Sequence, residues 1–549
     1  GFAYANKQNP ELIINDTWPD VIGTIKTNTV IQYDTEFKKV KSWGLPALAS
    51  RPRKRQINLD CRPVERFKLH LGDLPDSEKP KLPDKLDYKK AIADYLKELG
   101  KVMGVLNLIL FDNTINTNFN LQLIKDTINT RWPNIDFFEN VLIIFTIPAE
   151  YTEQSKGILR KCIHDAGLIG NPTSEKLQFS PEPEAAAIHC LSVLDEHFLT
   201  DDGTSFLIVD CGGGTVDLTT RKLLPNKRLG EVTERTGDYC GSTFVDDEFI
   251  KFMKLKVGDS AMNSLETHRY GQFQYMVQEF CRRVKLPFTG NKEDFKIFDL
   301  DIEELCPMLK QYVTGAERER LEKDEWIIEL KFEDVEAMFG PVIQKIIRLI
   351  SGQLSTGGVC TIMFLVGGFS ESKYLQSRIK KTFNYIRTIA VPKQPQAAIV
   401  RGALEYGLRM GVIATRVLKY TYGIETENVF NETTDPEHLR IDGRYIFKFY
   451  RLVEKGREVG VDETFGAIFR PLEHTTHLRF SLYTSTNLNE VYCDGLEKLG
   501  ELIVDMPDTH LGKERPVEFK LIFGQMEITA TARNQLTGQE YKANFRLEF

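Results

Sequence analysis

The run Phe206-Leu207-Ile208-Val209 passes directly into Asp210-Cys211-Gly212-Gly213-Gly214-Thr215-Val216-Asp217. An unbroken apolar stretch of this kind is the pattern of a strand covered on both faces, so it belongs in the interior of a layered fold. Three consecutive glycines at its end allow a tight turn and leave no Cβ to hold a phosphate away from the backbone N–H groups. Asp210 and Asp217 flank the turn at a spacing that would bring both carboxylates to one side of a hairpin, where Mg²⁺ and its waters need oxygen partners. The pattern points to magnesium–nucleotide chemistry. The competing reading is a glycine-rich hairpin whose acidic residues only form the turn.

Two further apolar runs end in loops of the same kind. Val141-Leu142-Ile143-Ile144-Phe145-Thr146-Ile147 leads into Pro148-Ala149, and Thr361-Ile362-Met363-Phe364-Leu365-Val366 leads into Gly367-Gly368-Phe369-Ser370. Each is followed by a helical pattern, which makes the chain α/β. The Gly367-Gly368 pair is expected to open a helix over 370–383, with its amides free to approach a nucleotide. A plain tight turn from strand to helix is an equal reading. Over 333–350, Val335, Met338, Phe339, Val342, Ile343, Ile346, Ile347 and Ile350 recur at three- and four-residue steps, a stripe that reads as core.

In order along the chain stand Val141 to Ala149, Pro181-Glu182-Pro183-Glu184-Ala185-Ala186-Ala187, Asp210 to Asp217, Gly237-Asp238 with Gly241, Leu365-Val366-Gly367-Gly368, and Arg401-Gly402-Ala403. This succession resembles the 70-kilodalton heat-shock protein family, and more narrowly its divergent heat-shock 70 kDa protein 12 branch, within the actin and sugar-kinase ATPase superfamily. The resemblance implies a two-lobed, actin-like (ribonuclease H-like) nucleotide-binding domain with ATP or ADP and Mg²⁺ in the cleft. It implies that Asp210 and Glu182 hold the metal through water, and that Gly212, Gly213, Gly214 and Thr215 meet the phosphates. Gly241, Gly367 and Gly368 would line the nucleotide, and Lys285 would touch its ribose. Lys68, in Phe67-Lys68-Leu69, would meet the γ-phosphate and the attacking water, which Asp217 would help to polarise. Such a division of labour suits phosphoryl transfer, which depends on positioning and charge neutralisation. Read without the resemblance, Lys68 is the exposed position of an alternating strand.

The sequence departs from the family pattern in several places. It opens at Gly1-Phe2-Ala3-Tyr4-Ala5-Asn6, which resembles the segment just beyond the family's first phosphate loop; the expectation is an N-terminal truncation, with hydrolysis doubtful for the chain as written. Along the adenosine-contacting helix stand Arg282, Lys285 and Leu286, so an aliphatic group takes the place of the cation that stacks on adenine. Lys156 stands where the arginine partner of Pro148 would be, and lysine lacks the planar fork.

Beyond about residue 411 the period changes. Leu478, Phe480 and Leu482 alternate with polar residues, as do Val517, Phe519, Leu521 and Phe523, then Met526, Ile528, Ala530 and Ala532, then Tyr541, Ala543, Phe545 and Leu547. Breaks at Gly524-Gln525 and at 534–538 make this an antiparallel meander with one buried face. The expected division is a nucleotide domain over 1–411 and a smaller β-sandwich-like domain over 412–549, in the place where the family grips client peptides.

With 549 residues, 42% of them hydrophobic and 27% charged, the chain has the size for two cores. A net charge of −7 gives no reason to expect nucleic-acid partners, and no apolar run is long enough to span a bilayer. Arg51-Pro52-Arg53-Lys54-Arg55 reads as a solvated loop before a nuclear signal, and nine scattered cysteines fit a cytoplasmic protein. Cys211 is expected to pack beneath the loop. The expected function is a chaperone-like ATPase coupling nucleotide state to unfolded client segments, with co-chaperones as further partners. The alternatives are a nucleotide-binding scaffold or regulator with little turnover and, behind it, a sugar kinase.

Overall fold

The structure, a computed structural model, describes residues 1–8, 10–18, 21–48, 62–72, 74–77, 79–103, 135–148, 151–196, 201–233, 235–356, 360–460, 463–523 and 528–544. The basic run 51–55, Ala149, the break at Gly524-Gln525, Met526, Phe545 and Leu547 lie outside the described residues.

After two short antiparallel pairs, Ala3–Tyr4 with Ile13–Ile14 and Thr17–Trp18 with Val21–Ile22, comes an antiparallel sheet in which β1 (Val30–Tyr33) pairs with β2 (Val40–Trp43) on one side and β3 (Val64–Glu65) on the other. A 3₁₀ turn, Phe67–Leu71, comes after β3. The charged segment 75–138 contains α1 (Tyr88–Met103) and a short helix at Phe137–Asn140; residues 104–134 of it lie outside the described residues. β4 (Ile143–Ile147) and β5 (Leu177–Pro181) pair in parallel through α2 (Glu153–Asp165), and α3 (Glu182–Glu196) starts at the residue after β5.

The central sheet is six-stranded. Its path is β8 (Arg228–Glu231), β7 (Val216–Leu224), β6 (Ser205–Cys211), β10 (Ile362–Val366) and β11 (Thr388–Ala390), with β9 (Thr236–Asp238) also on β7. β6, β10 and β11 are parallel, and β7 returns antiparallel to β6. The unbroken apolar runs have a simple cause: Phe206 and Ile208 point into one core while Leu207, Val209 and Cys211 point into another on the opposite face. All five are fully buried, and each large apolar side chain among them contributes about 1.5–3 kcal/mol by leaving water.

On one face lie α4 (Thr243–Val257), α5 (Asp259–His268), α6 (Tyr270–Phe280) and α7 (Phe332–Thr356). α7 carries the expected stripe, with Val335, Met338, Phe339, Val342, Ile343, Ile346 and Ile350 buried. After β10 comes α8 (Lys373–Thr382), and after β11 comes α9 (Ala398–Leu408), which packs on α3. Gly402 makes that contact possible, since a Cβ there would sit 1.6 Å from the Ala185 carbonyl oxygen.

The chain then forms β12 (Thr415–Val417), β13 (Thr421–Val429), β14 (Tyr445–Val453), β15 (Glu458–Gly460), β16 (Thr464–Phe469), β17 (His477–Ser485), β18 (Glu497–Asp505), β19 (Val517–Ile522), β20 (Thr529–Asn534) and β21 (Glu540–Asn544). Two four-stranded antiparallel sheets result, β14-β13-β17-β18 and β16-β19-β20-β21. They share one core in which Phe480 stacks on Phe519 with ring centroids 4.6 Å apart. Val517, Phe519 and Leu521 are buried while Glu518 and Lys520 are not, the one-faced alternation read from the sequence. Among the described residues no helix is long and apolar enough to cross a membrane.

Candidate functional site

The triple-glycine turn joins β6 to β7, with Asp210 directly opposite Asp217 and Cys211 opposite Val216. In an antiparallel pair, opposite residues share a face, so the two carboxylates lie side by side. The turn is closed by the Gly212 N–H donating to Thr215 O at 2.9 Å. It is also tied from behind to the start of α4. The amides of Gly241, Ser242 and Thr243 donate to the carbonyls of Gly214, Gly212 and Gly213 at 3.1, 3.1 and 2.9 Å, and Thr243 Oγ1 donates to Gly213 O at 2.9 Å. With all three glycine carbonyls turned toward α4, the amides of Gly213 and Gly214 have no backbone acceptor among the described residues. Both residues are exposed, while Cys211 and Val216 beneath them are fully buried, so Cys211 packs under the turn as expected.

Two other glycines are required by close approach. A Cβ at Gly241 would lie 2.3 Å from Gly213 O, and one at Gly367, where φ is +84°, would lie 2.3 Å from Asp210 Oδ1. The second case joins the end of β10 to the triple-glycine turn. Gly368, by contrast, borders open space.

The charged groups converge from distant parts of the chain. Asp210 is 6% exposed and makes no hydrogen bond or ion pair among the described residues. Burial, and then the neighbouring Glu182 charge, push its carboxyl up to about 7 against the pull of Lys26 and Lys68. Asp217, 2% exposed, accepts from Thr215 Oγ1 at 3.0 Å. Glu182 opens α3, and its Oε1 stands 3.5 Å from Lys68 Nζ. Burial alone would lower the Lys68 ammonium, but Glu182 above all, with Tyr151 and Asp217, carries it above its ordinary value and keeps it charged. Lys68 does not lie on an alternating strand: it sits in the Phe67–Leu71 3₁₀ turn, from which its side chain reaches α3.

The expectation at the second glycine pair needs correction. Gly368–Glu371 is a 3₁₀ turn, and the α-helix begins at Lys373, where Ser372 Oγ accepts from Leu375 N at 3.3 Å. The helix's free first-turn amides therefore lie beyond the glycines, at Lys373 to Leu375, and the Ser372 side chain takes up one of them. Lys285 is also already engaged. It ends a π-turn, Cys281–Lys285, is 6% exposed, and donates to Ser242 O at 2.9 Å and Asp246 Oδ1 at 2.5 Å. It braces the start of α4 from behind the glycine turn. Leu286 next to it is 55% exposed.

Sequence reasoning does not single out Lys26. It follows Gly23-Thr24-Ile25 in irregular chain, with no motif around it, yet its charge acts on both Asp210 and Glu371. Also unmarked in the sequence is a buried charge cluster two residues beyond Glu182. Glu184, fully buried, accepts from Arg416 Nε at 2.9 Å and Arg416 Nη2 at 3.1 Å, and pairs with Arg235. Glu231 pairs with Arg235 at 2.7 Å and Arg221 at 3.0 Å, and accepts from Val417 N at 2.7 Å. Arg416 Nη1 also donates to Phe523 O at 3.4 Å. Burial by itself would raise Glu184, but Arg416, Arg235 and Arg221 reverse this and hold its carboxyl well below the usual carboxylate range. The first turn of α3 is thereby tied to β7, β8, β12 and the end of the β19 segment.

A magnesium ion fits this donor set. Asp210 is a buried carboxylate with no cationic partner in contact, next to Glu182. Mg²⁺ keeps several of its waters and needs only one or two carboxylates, and Asp210 with Glu182 would supply them.

No family model matches the chain. Two curated proteins named Heat shock 70 kDa protein 12A, from Homo sapiens and Mus musculus, are each 25% identical to it across 99% of this chain and 89% of their own length. Heat shock 70 kDa protein 12B of Homo sapiens is 23% identical across 81% of this chain and 75% of its own length. The likeness to the heat-shock 70 kDa protein 12 branch, read first from scattered motifs, therefore extends over nearly the whole chain.

Proposed function

We propose, from that likeness and the geometry of the turn, that the chain binds a magnesium–nucleoside triphosphate, ATP on the resemblance, and hydrolyses it. The nucleotide domain would be the two-lobed actin-like unit over 1–411, and the β-domain over 412–549 would hold extended segments of client proteins. The observation that carries the reading is the Asp210–Asp217 pair across a triple-glycine turn whose carbonyls are all tied back to α4. Gly213 and Gly214 would offer their amides to the terminal phosphates, and Thr215 would add its own. Asp210 and Glu182 would hold Mg²⁺ through its waters; bound there, the ion neutralises charge on the phosphate oxygens. Lys68, kept protonated by Glu182, would neutralise the γ-phosphate, and Asp217 would orient the attacking water and take its proton. Lys285 would act indirectly, by holding the α4 start against the turn. The Glu184–Arg416 cluster supports coupling, because any movement of the first turn of α3 would be felt at Arg416 and Phe523.

The engagement of Lys285 by Asp246 favours a second reading, a nucleotide-binding scaffold with little turnover. Single-turnover phosphate release with Mg²⁺ and ATP separates the two. Hydrolysis that falls about a hundredfold or more in Asp217→Asn, with nucleotide still bound, supports the ATPase; binding without hydrolysis by the parent chain supports the scaffold. ADP formation only when a sugar is supplied would point instead to a kinase.

A further inference from the structure

The charged groups of the site stand on two different cores. Lys68 belongs to the turn between Phe67 and Leu71, which pack in one core. The triple-glycine turn and Asp217 rise from strands whose Cys211 and Val216 pack in the other, with Cys240 and Val245. Around Lys68 the backbone is anchored from its own side: Tyr151 Oη donates to Lys68 O at 3.3 Å, and Ser155 Oγ donates to Leu71 O at 2.5 Å. Neither contact fixes how far Lys68 stands from the glycines.

One short segment, Tyr239-Cys240-Gly241, touches both turns. The Gly241 N–H donates to Gly214 O at 3.1 Å, and Gly241 lies against Gly213 O where no Cβ would fit. Two residues earlier, the half-buried Tyr239 reaches Gly72, the residue that ends the Lys68 turn; a Cβ at Gly72 would stand 3.1 Å from the Tyr239 hydroxyl. With φ −90° and ψ 173° the backbone at Gly72 is extended and open to any residue, so what a side chain there would meet is the tyrosine. The segment is firmly based on the second core. Cys240 is buried in it, and Lys345 of α7 pairs with Asp238 Oδ2 at 3.0 Å and donates to Tyr239 O at 3.2 Å, while Tyr239 N donates to Asp238 Oδ1 at 2.6 Å.

We propose that Tyr239 is a positioning residue that sets the distance between Lys68 and the triple-glycine turn, and through it the preference of the site for a nucleoside triphosphate over a diphosphate. The proposal rests on the nucleotide reading, in which the glycine amides hold the phosphates and Lys68 meets the γ-phosphate. A diphosphate lacks the group that Lys68 would meet. Displacing Lys68 therefore weakens triphosphate binding and leaves diphosphate binding to the glycines; a shift of roughly 1 Å is enough to spoil such a contact.

The test is calorimetric titration of the full chain, in Mg²⁺, with ADP and with the non-hydrolysable β,γ-imido analogue of ATP. It compares the parent, Tyr239→Ala, Gly72→Ala and the Gly72→Ala/Tyr239→Phe pair, with circular dichroism to check that each is folded. The parent should bind the triphosphate about tenfold or more tighter than ADP. Tyr239→Ala should erase most of that ratio while changing ADP affinity by less than about twofold. Gly72→Ala, whose methyl crowds the hydroxyl, should lower the ratio less, and adding Tyr239→Phe should restore it by making room for the methyl; this rescue decides the matter if Tyr239→Ala does not fold. A ratio unchanged in Tyr239→Ala, both affinities falling together, or no rescue in the pair would overturn the positioning role while nucleotide binding stands. Equal affinities in the parent would remove the γ-phosphate contact and this role with it, and a parent that binds neither nucleotide would overturn the nucleotide reading as well.

Discussion

Replacing Asp210 by Asn separates what this residue costs the fold from what it supplies to the site. In the folded chain its carboxyl titrates near 7, against an ordinary value of 3.8, chiefly because it is buried and secondarily because Glu182 is near. Below 3.8 both folded and unfolded states carry the proton and no cost arises. As pH rises from there through 7 the unfolded chain gives up its proton first, so folding loses stability; above 7 both are ionised and the loss is complete. The interval corresponds to about 4 kcal/mol at full ionisation, shared in part with Glu182. Asn at this position cannot ionise. Without Mg²⁺ or nucleotide, Asp210→Asn should therefore match the parent near pH 4 and exceed it progressively toward pH 8, by up to about 4 kcal/mol. Urea midpoints measured at several pH values, with the slope of each transition checked for constancy, read this directly. On the proposed function, adding Mg²⁺ and nucleotide at pH 8 should then stabilise the parent and leave the variant unmoved. A parent-to-variant gap that does not change with pH, or a variant less stable than the parent at pH 8, would refute the assignment of Asp210 as an uncompensated buried acid awaiting a cation.

Glu184→Gln should destabilise the chain by about 3–5 kcal/mol near neutral pH, because it leaves Arg416, Arg235 and Arg221 facing one another in a buried site. Since Glu184 is held below its ordinary 4.5, its contribution is present above that value and lost as pH falls below it, so urea midpoints should show the deficit shrinking in acid; a deficit constant with pH would argue against the ion cluster. Arg62 pairs with Glu266 at 2.9 Å and lies 4.2 Å over the Tyr270 ring, joining the core of Val64 and Phe67 to that of Phe249 and Phe280. Both ends are exposed, so Arg62→Ala should change stability by less than about 1 kcal/mol while raising the nucleotide dissociation rate about two- to fivefold in stopped flow; an unchanged rate would mean that the contact does not hold the two cores together over the site.

Much of this architecture is legible in the sequence. The unbroken apolar runs at 206–209 and 361–366 mark strands buried on both faces, and the period-two alternation of 517–523 marks a sheet with one wet face. The stripe on α7 and the hairpin at Gly212-Gly213-Gly214 are equally plain, because periodicity and turn chemistry are set by residues a few positions apart. The alternative reading of Lys68 as an exposed strand residue fails because a five-residue 3₁₀ turn leaves no period to detect. The Gly367-Gly368 pair reads as a helix start because Ser372, the residue that caps the helix, has no distinguishing mark until the backbone is seen.

What the sequence by itself determined is the α/β character of the chain, the hairpin that sets Asp210 opposite Asp217, and the alternating C-terminal strands. Tertiary structure alone decided that the charges of Glu182, Lys26 and Lys68 act on Asp210, that Lys285 is spent on bracing the turn, and that Glu184 and Arg416 neutralise each other in the interior. The reason is that backbone preference acts over neighbouring residues, whereas the field at a buried carboxylate is the sum over every charge that folding brings near it, and those charges come from far along the chain, as with Arg416, which stands 232 residues beyond Glu184.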